Sequence, residues 1–157
     1  MTKLEYSIIL ENDKEKLFKI ATDYENLTKY LPDQLKSVRI SEKNQDTTIT
    51  ESTVVFKIIF KKEISIVSKH TEKNHNTITT EIISGPAKGT TIDIFYEKKD
   101  ESTEINVITD LKLSLKYIIM LPLIKKMYSR VLTSILYRMD NEIGNIDWVL
   151  LMKNLIP

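Results

Sequence analysis

The side chains best suited to catalysis in this sequence are two histidines, His70 and His75, five residues apart. A histidine can act as a general base or bind a metal ion. His75 falls in a predicted Asn-His-Asn turn, and no acidic cluster with metal-ligand spacing accompanies the pair. Cysteine is absent, which excludes disulfides, thiolate metal sites and cysteine nucleophiles. We therefore predict no metal site and no cofactor.

Serine and phosphate chemistry lack their usual motifs. No Gly-x-Ser-x-Gly segment occurs that would expose a nucleophilic serine, so a hydrolase is disfavoured. Gly85 and Gly89 stand four residues apart with Pro86 and Lys88 between them. The remaining spacing of a phosphate-binding loop is missing, and a turn is the better explanation of these glycines.

Carboxylates and tyrosines are the other polar groups that could serve a cavity. The candidates are Glu63, Asp93, Asp110, Tyr6, Tyr30, Tyr96 and Tyr128. Strand alternation places the three carboxylates opposite the apolar residues of their strands, so they should face water. Each tyrosine is more often a half-buried packing residue than a catalytic acid. The sequence therefore predicts no catalytic residue.

The elements that would position these side chains begin with a strand over residues 3–10, where apolar residues alternate. Asn12 can cap a helix of about ten residues, and a second short helix should begin at Asp23 and end at Pro32. β-branched residues and polar turns then predict six more strands. These lie near 35–43, 47–57, 59–73, 77–84, 88–98 and 103–114.

A long amphipathic helix should follow the last strand. From Ile124 to Ile143, apolar residues recur at steps of three and four, and Pro122 suits the first turn. A helix of about 20 residues or more spans roughly 30 Å, enough to cross a seven-stranded sheet. The predicted fold class is α+β: a curved antiparallel sheet of seven strands, two short helices after the first strand, and a C-terminal helix over the concave face.

Three segments sharpen this prediction. Asp23–Pro32, Phe56-Lys57 followed by Glu63 and Ser68, and Ser84–Gly89 resemble, in the same order, segments of polyketide cyclase and coenzyme Q-binding START-type proteins. The chain thus resembles the START-like, or SRPBCC, superfamily over residues 3 to about 142. The resemblance implies a helix-grip fold with an apolar cavity between sheet and last helix. We expect one domain over residues 1–157, with 143–157 as a candidate C-terminal extension.

The resemblance implies that this cavity holds a hydrophobic small molecule such as a lipid, an isoprenoid quinone or a polyketide. Alternation and helical spacing give the side chains expected to contact that ligand. They are Tyr6, Ile8, Tyr30, Val38, Ile64, Ile66, Ile82, Ile92, Ile94, Tyr96, Val107, Met127, Val131 and Ile135. The main prediction is binding or carriage of the ligand without catalysis.

Two other functions stay open at this point. The first is a polyketide cyclase or dehydrase that acts in the same cavity and uses a tyrosine to orient its substrate. The second is an interaction module, because the resemblance also extends to ribosome-association toxins. A basic surface formed by Lys125, Lys126, Arg130 and Arg138 would serve the second function.

Charge and hydropathy limit the partners. The 157 residues carry 23 basic and 22 acidic side chains, a net charge of +1 with the two signs interspersed, so nucleic-acid binding is not expected. No apolar stretch approaches the roughly 20 residues of a membrane-spanning helix, and the first residues do not resemble a signal peptide. A cytoplasmic protein is expected. The apolar residues within 143–157 could contact a membrane surface or a partner, and the sequence leaves the oligomeric state open.

Overall fold

The computed structural model describes the backbone of residues 2–57 and 61–155, together with their side chains except those of 145–150 and 155. Within these residues the chain forms a seven-stranded antiparallel sheet and a long C-terminal helix. The strands are β1 (Thr2–Leu10), β2 (Leu35–Lys43), β3 (Thr47–Lys57), β4 (Lys61–Lys73), β5 (Thr77–Ser84), β6 (Thr91–Lys99) and β7 (Ser102–Leu111). The helices are α1 (Lys14–Ala21), α2 (Leu121–Leu155) and two 3-10 helices, Tyr24–Tyr30 and Leu115–Met120. The predicted fold class is confirmed.

The strands lie in the order β1-β7-β6-β5-β4-β3-β2, so β2 to β7 form a meander and β1 joins it beside β7. Residues directly opposite each other in neighbouring strands share a face of the sheet. Tyr6 lies opposite Val107, and Val107 lies opposite Ile94. The alternation in the sequence therefore gives the correct face for these residues. Register shifts in β2 and β4 add to the twist that curves the sheet.

Helix α1 begins one residue later than the sequence suggests. Its N-cap is Asp13, whose side chain accepts a hydrogen bond from the Glu15 backbone N–H at 3.0 Å. Asn12 was expected in this role. Instead, its side-chain Nδ2 donates to the carboxylate of Asp140 in α2 at 2.8 Å and to the Asp140 carbonyl oxygen at 2.9 Å. The Asn12 side chain therefore joins the end of β1 to α2.

Helix α2 has 35 residues, which makes it about 50 Å long and longer than the sequence suggests. Leu136, Met139 and Ile143 pack into the main core with residues of β1, β5, β6, β7 and α1. The helix continues to Leu155, within the segment expected to form a C-terminal extension, and Leu151 and Met152 are exposed there. No helix in the described part of the chain has both the length and the apolar character needed to cross a bilayer.

Candidate functional site

An apolar cavity of about 430 Å³ lies between the β2–β3 side of the sheet and the first half of α2. Its volume falls within the range of small-molecule sites. The lining residues are Leu31, Asp33, Gln34, Leu35, Val54, Val55, Phe56, Lys57, Met120, Leu123, Ile124, Met127, Tyr128, Val131 and Leu132. Leu123 and Met127 line the cavity and are also exposed, so the cavity opens to solvent beside them.

One wall is built from the segment after the first 3-10 helix. Pro32 ends that helix because it lacks a backbone N–H, and the chain turns so that the Leu35 N–H donates to the Leu31 carbonyl at 2.9 Å. The Val55 N–H donates to the Gln34 carbonyl at 2.8 Å, which fastens this turn to β3. Strand β2 begins at Leu35, with a register shift between Leu35 and Ser37. These backbone bonds hold the wall in place.

The opposite wall is one face of α2. Ile124, Met127, Tyr128 and Val131 recur at helical spacing and face the cavity together. The Tyr128 hydroxyl is hydrogen-bonded to the Thr109 hydroxyl of β7 at 2.7 Å. Burial raises the pKa of Tyr128 above its ordinary value, so its phenol is neutral at physiological pH. The wall therefore offers one uncharged polar group among apolar side chains.

Of the fourteen residues expected to contact a ligand, the structure places two, Met127 and Val131, in the lining of this cavity. Eight others pack in or against the main core: Tyr6, Ile8, Tyr30, Ile92, Ile94, Tyr96, Val107 and Ile135. They pack there because the middle of α2, from Leu132 to Ile143, rests directly on β1 and its neighbours. The Tyr6 hydroxyl is hydrogen-bonded to Thr133 of α2, which leaves little space between the two elements.

The remaining four, Val38, Ile64, Ile66 and Ile82, lie outside the lining. Cross-strand pairing places them on the cavity's side of the sheet, since Ile64 lies opposite Val54 in β3. Ligand contact stays a prediction for all fourteen residues.

Sequence reasoning missed most of the lining. Alternation gives Val54 and Phe56 an inward orientation, and this signal could have placed them at the site. The segment Leu31–Leu35 carries no periodic pattern, so nothing in the sequence indicates that it forms a wall.

A buried polar cluster lies on the concave face near the β4–β5 turn, apart from the cavity. The two ring nitrogens of His70 are hydrogen-bonded to the hydroxyls of Thr50 at 2.9 Å and Thr80 at 2.8 Å. Burial lowers the pKa of His70 to about 4, so its imidazole is neutral at physiological pH. Among the described residues no three His, Asp or Glu side chains are placed to hold a metal ion. The arrangement is that of a satisfied structural histidine.

Side chains near the C-terminal part of the core tie the first 3-10 helix to α2. The Tyr30 hydroxyl donates to the Glu142 carboxylate, which also pairs with the Lys29 ammonium at 2.8 Å. Lys29 and the Tyr30 hydroxyl hold the pKa of Glu142 below its usual value. Arg138 donates to the Tyr30 carbonyl at 2.8 Å. These contacts give Tyr30 and Arg138 structural roles, while Arg138 stays exposed at the surface of α2.

Comparisons with known proteins place the chain by its structure. No family model and no curated protein matches the sequence. Several solved structures do match, among them TTHA0849 from Thermus thermophilus, which is 13% identical over 92% of this chain and 99% of its own, with a TM-score of 0.77.

Two further structures have descriptive names. The Zhui aromatase/cyclase from Streptomyces sp. R1128 is 12% identical, over 90% of this chain and 95% of its own, with a TM-score of 0.77. A START superfamily protein from Mycobacterium smegmatis is 14% identical, over 92% of this chain and 98% of its own, with a TM-score of 0.71. At these identities the likeness establishes a shared fold. The resemblance noted in the sequence is thus confirmed, and the chain has the START-like, helix-grip fold.

Proposed function

We propose that this protein binds a hydrophobic small molecule in the cavity between β2–β3 and α2. The observation that carries the proposal is the cavity itself, of about 430 Å³, with apolar or aromatic side chains at twelve of its fifteen lining residues. Such a concave apolar site, with few polar groups, is the usual form of a small-molecule site. The solved structures with the same fold include an aromatase/cyclase, which supports the binding of a small molecule.

The polar groups of the lining indicate the kind of ligand. Asp33, Gln34 and Lys57 are exposed. The Tyr128 hydroxyl already has a partner in Thr109. A ligand with a charged group deep in this cavity would lose its hydration without compensation. The ligand is therefore mainly apolar, with any polar end at the opening, as in a lipid, an isoprenoid quinone or a polyketide-like aromatic.

The first experiment is native mass spectrometry of the purified protein, followed by organic extraction and identification of any apolar compound released. A stoichiometric compound supports the proposal and names the ligand class. If the protein is empty and also fails to bind a panel of lipids, quinones and aromatic polyketides, the proposal is wrong.

A cavity-filling variant locates the site. Val131→Trp adds a ring at the centre of the α2 wall and should abolish saturable binding of the fluorescent probe N-phenyl-1-naphthylamine. Ile9→Trp is the matched control, because Ile9 is 61% exposed on the other face of β1. Unchanged probe binding by the folded Val131→Trp variant would place the site elsewhere.

A second candidate function is a cyclase or dehydrase in the same cavity. It is favoured by Tyr128, whose neutral phenol lines the cavity and could hydrogen-bond a substrate carbonyl. In this case Tyr128→Phe should keep probe binding and lose turnover of a linear polyketone. If the wild-type protein binds such a polyketone and leaves it unchanged, carriage without catalysis is favoured.

A further inference from the structure

An exposed apolar surface lies beside the cavity opening. It consists of Leu115, Ile118, Ile119, Leu123 and Met127, and we call it the mouth patch. Leu115 and Ile119 are 88% and 84% exposed, and the other three are between 37% and 50% exposed. Single exposed apolar residues are common, but a contiguous group marks an interaction surface. Leu123 and Met127 also line the cavity, so the mouth patch is continuous with it.

The segment that carries the mouth patch has charges of one sign. Residues 111–139 contain six Lys and Arg residues and no Asp or Glu. Lys126 follows Leu123 by three positions, and Arg130 follows Met127 by three, so each basic side chain neighbours an apolar one on the α2 surface. Both Lys126 and Arg130 are exposed.

The β3–β4 hairpin adds basic groups from a second direction. The Lys62 ammonium donates to the Tyr117 hydroxyl at 2.8 Å and lies 5.0 Å from the centre of the tyrosine ring. This contact holds the start of β4 against the second 3-10 helix. Lys57 and Lys61 lie opposite each other at the same end of the hairpin, and both are exposed. Basic side chains thus lie on two sides of the mouth patch.

We propose that the mouth patch docks on an anionic membrane surface. Exposed leucine and isoleucine side chains suit the boundary between headgroups and acyl chains, and lysines around them suit anionic headgroups. A protein partner would need an apolar patch bordered by acidic residues to match the mouth patch equally well. A second copy of this chain would bring like charges together. Docking goes beyond the proposed ligand binding and does not depend on it, although it would bring the cavity opening to the bilayer.

The test is sedimentation of the full chain with vesicles of phosphatidylcholine, alone or mixed with phosphatidylserine. The wild-type protein should bind the mixed vesicles and dissociate from them at high salt. It should not bind vesicles of phosphatidylcholine alone. The Leu115→Glu/Ile119→Glu variant should bind at least about tenfold more weakly, since two inserted apolar side chains become charged. Binding to both vesicle types alike, or no binding to either, would overturn the proposal.

Two controls keep the test specific. Ile9→Glu introduces a charge at an exposed apolar residue away from the mouth patch and should leave vesicle binding unchanged. Lys125→Glu/Lys126→Glu should weaken binding, whereas Lys43→Glu/Lys73→Glu, at the opposite end of the sheet, should weaken it much less. Equal loss in the two lysine pairs would show a response to net charge and contradict a local surface.

A second copy as occupant gives a different result. Light scattering should give the molar mass of a monomer for both the wild-type protein and the Leu115→Glu/Ile119→Glu variant. A wild-type dimer that becomes monomeric in this variant would assign the mouth patch to self-association and overturn membrane docking. None of these measurements uses the cavity ligand. Vesicle binding can therefore be absent while the cavity binds the probe, and the cavity can fail to bind the probe while the protein binds vesicles.

Discussion

The imidazole of His70 lies stacked on the phenol ring of Tyr24, with 4.3 Å between ring centroids and 16° between ring planes. Tyr24 comes from the first 3-10 helix and covers the polar cluster on the concave face of the sheet. One ring nitrogen of neutral histidine donates and the other accepts, and each has a threonine hydroxyl as its partner. Protonation would turn the accepting nitrogen into a donor and place a charge in a buried site.

Stability should therefore fall in mild acid. The pKa of His70 is lowered from 6.5 to about 4 in the folded protein, so the unfolded chain binds one more proton between these values. The free energy of unfolding should be constant with respect to this group above pH 6.5 and decrease as the pH falls toward 4. The loss is at most about 3 kcal/mol. Urea unfolding at a series of pH values measures it.

The matched variants are His70→Gln and His75→Gln. His70→Gln should remove this part of the pH dependence, whereas His75→Gln should keep it, because His75 is an exposed turn residue. A pH dependence that survives in His70→Gln would assign it to other groups.

The Tyr24 hydroxyl gives a second prediction. Its oxygen is buried and forms no hydrogen bond of good geometry with the described residues, although the Glu72 carboxylate lies nearby. Burial and the nearby Glu72 carboxylate raise the pKa of Tyr24, so the phenol is neutral. Removing a buried unpaired hydroxyl relieves a desolvation cost. Tyr24→Phe should therefore be neutral or stabilising by up to about 1 kcal/mol in urea unfolding. A loss of that size instead would indicate that Glu72 accepts its hydrogen bond.

The Asn12 contacts with Asp140 should be important for stability. Asn12→Ala removes both side-chain bonds to α2 and leaves the buried Asp140 carboxylate with fewer donors. The expected loss in the free energy of unfolding is about 2 kcal/mol. Asn26→Ala is the control, since its side chain bonds to nearby Asp23 at the surface, and it should cost much less. Similar losses in the two variants would contradict this role for Asn12.

Two glycines should respond to alanine in opposite directions. Gly85 has a φ of 115°, and an added Cβ would lie 3.0 Å from the Ser65 carbonyl oxygen. Gly85→Ala should therefore destabilise the fold by about 1 to 3 kcal/mol. Gly144 lies in α2 with open space around it, so Gly144→Ala should stabilise by about 0.5 to 1 kcal/mol. Thermal unfolding of both variants measures this difference, and a shift of the same sign in both would contradict it.

The strands were predictable because alternation and polar turns are local signals. Strand β6 begins at Thr91, three residues later than expected. The reason is a compact turn in which the Lys88 N–H donates to the Gly85 carbonyl and the Gly89 N–H donates to the Ile82 carbonyl. The second 3-10 helix was not predicted, because its apolar residues resemble the continuation of a buried element and instead face solvent.

The site was less predictable than the fold. Strand alternation gives the face of a residue but not the distance between that face and the helix above it. Near Tyr6 the helix touches the sheet, and near Val54 it stands away and leaves the cavity. This difference depends on the direction of α2 across a curved sheet, which no local pattern records.

The position of β1 sets the order in which the fold can be completed. Strands β2 to β7 can pair one after another through short hairpins, but Thr2 pairs with Leu111. Strand β1 can therefore pair only after β7 has formed. Until then α2 has no complete core to pack against. Contacts so distant in sequence slow folding. A chain emerging from the ribosome would hold its first strand unpaired through most of its synthesis.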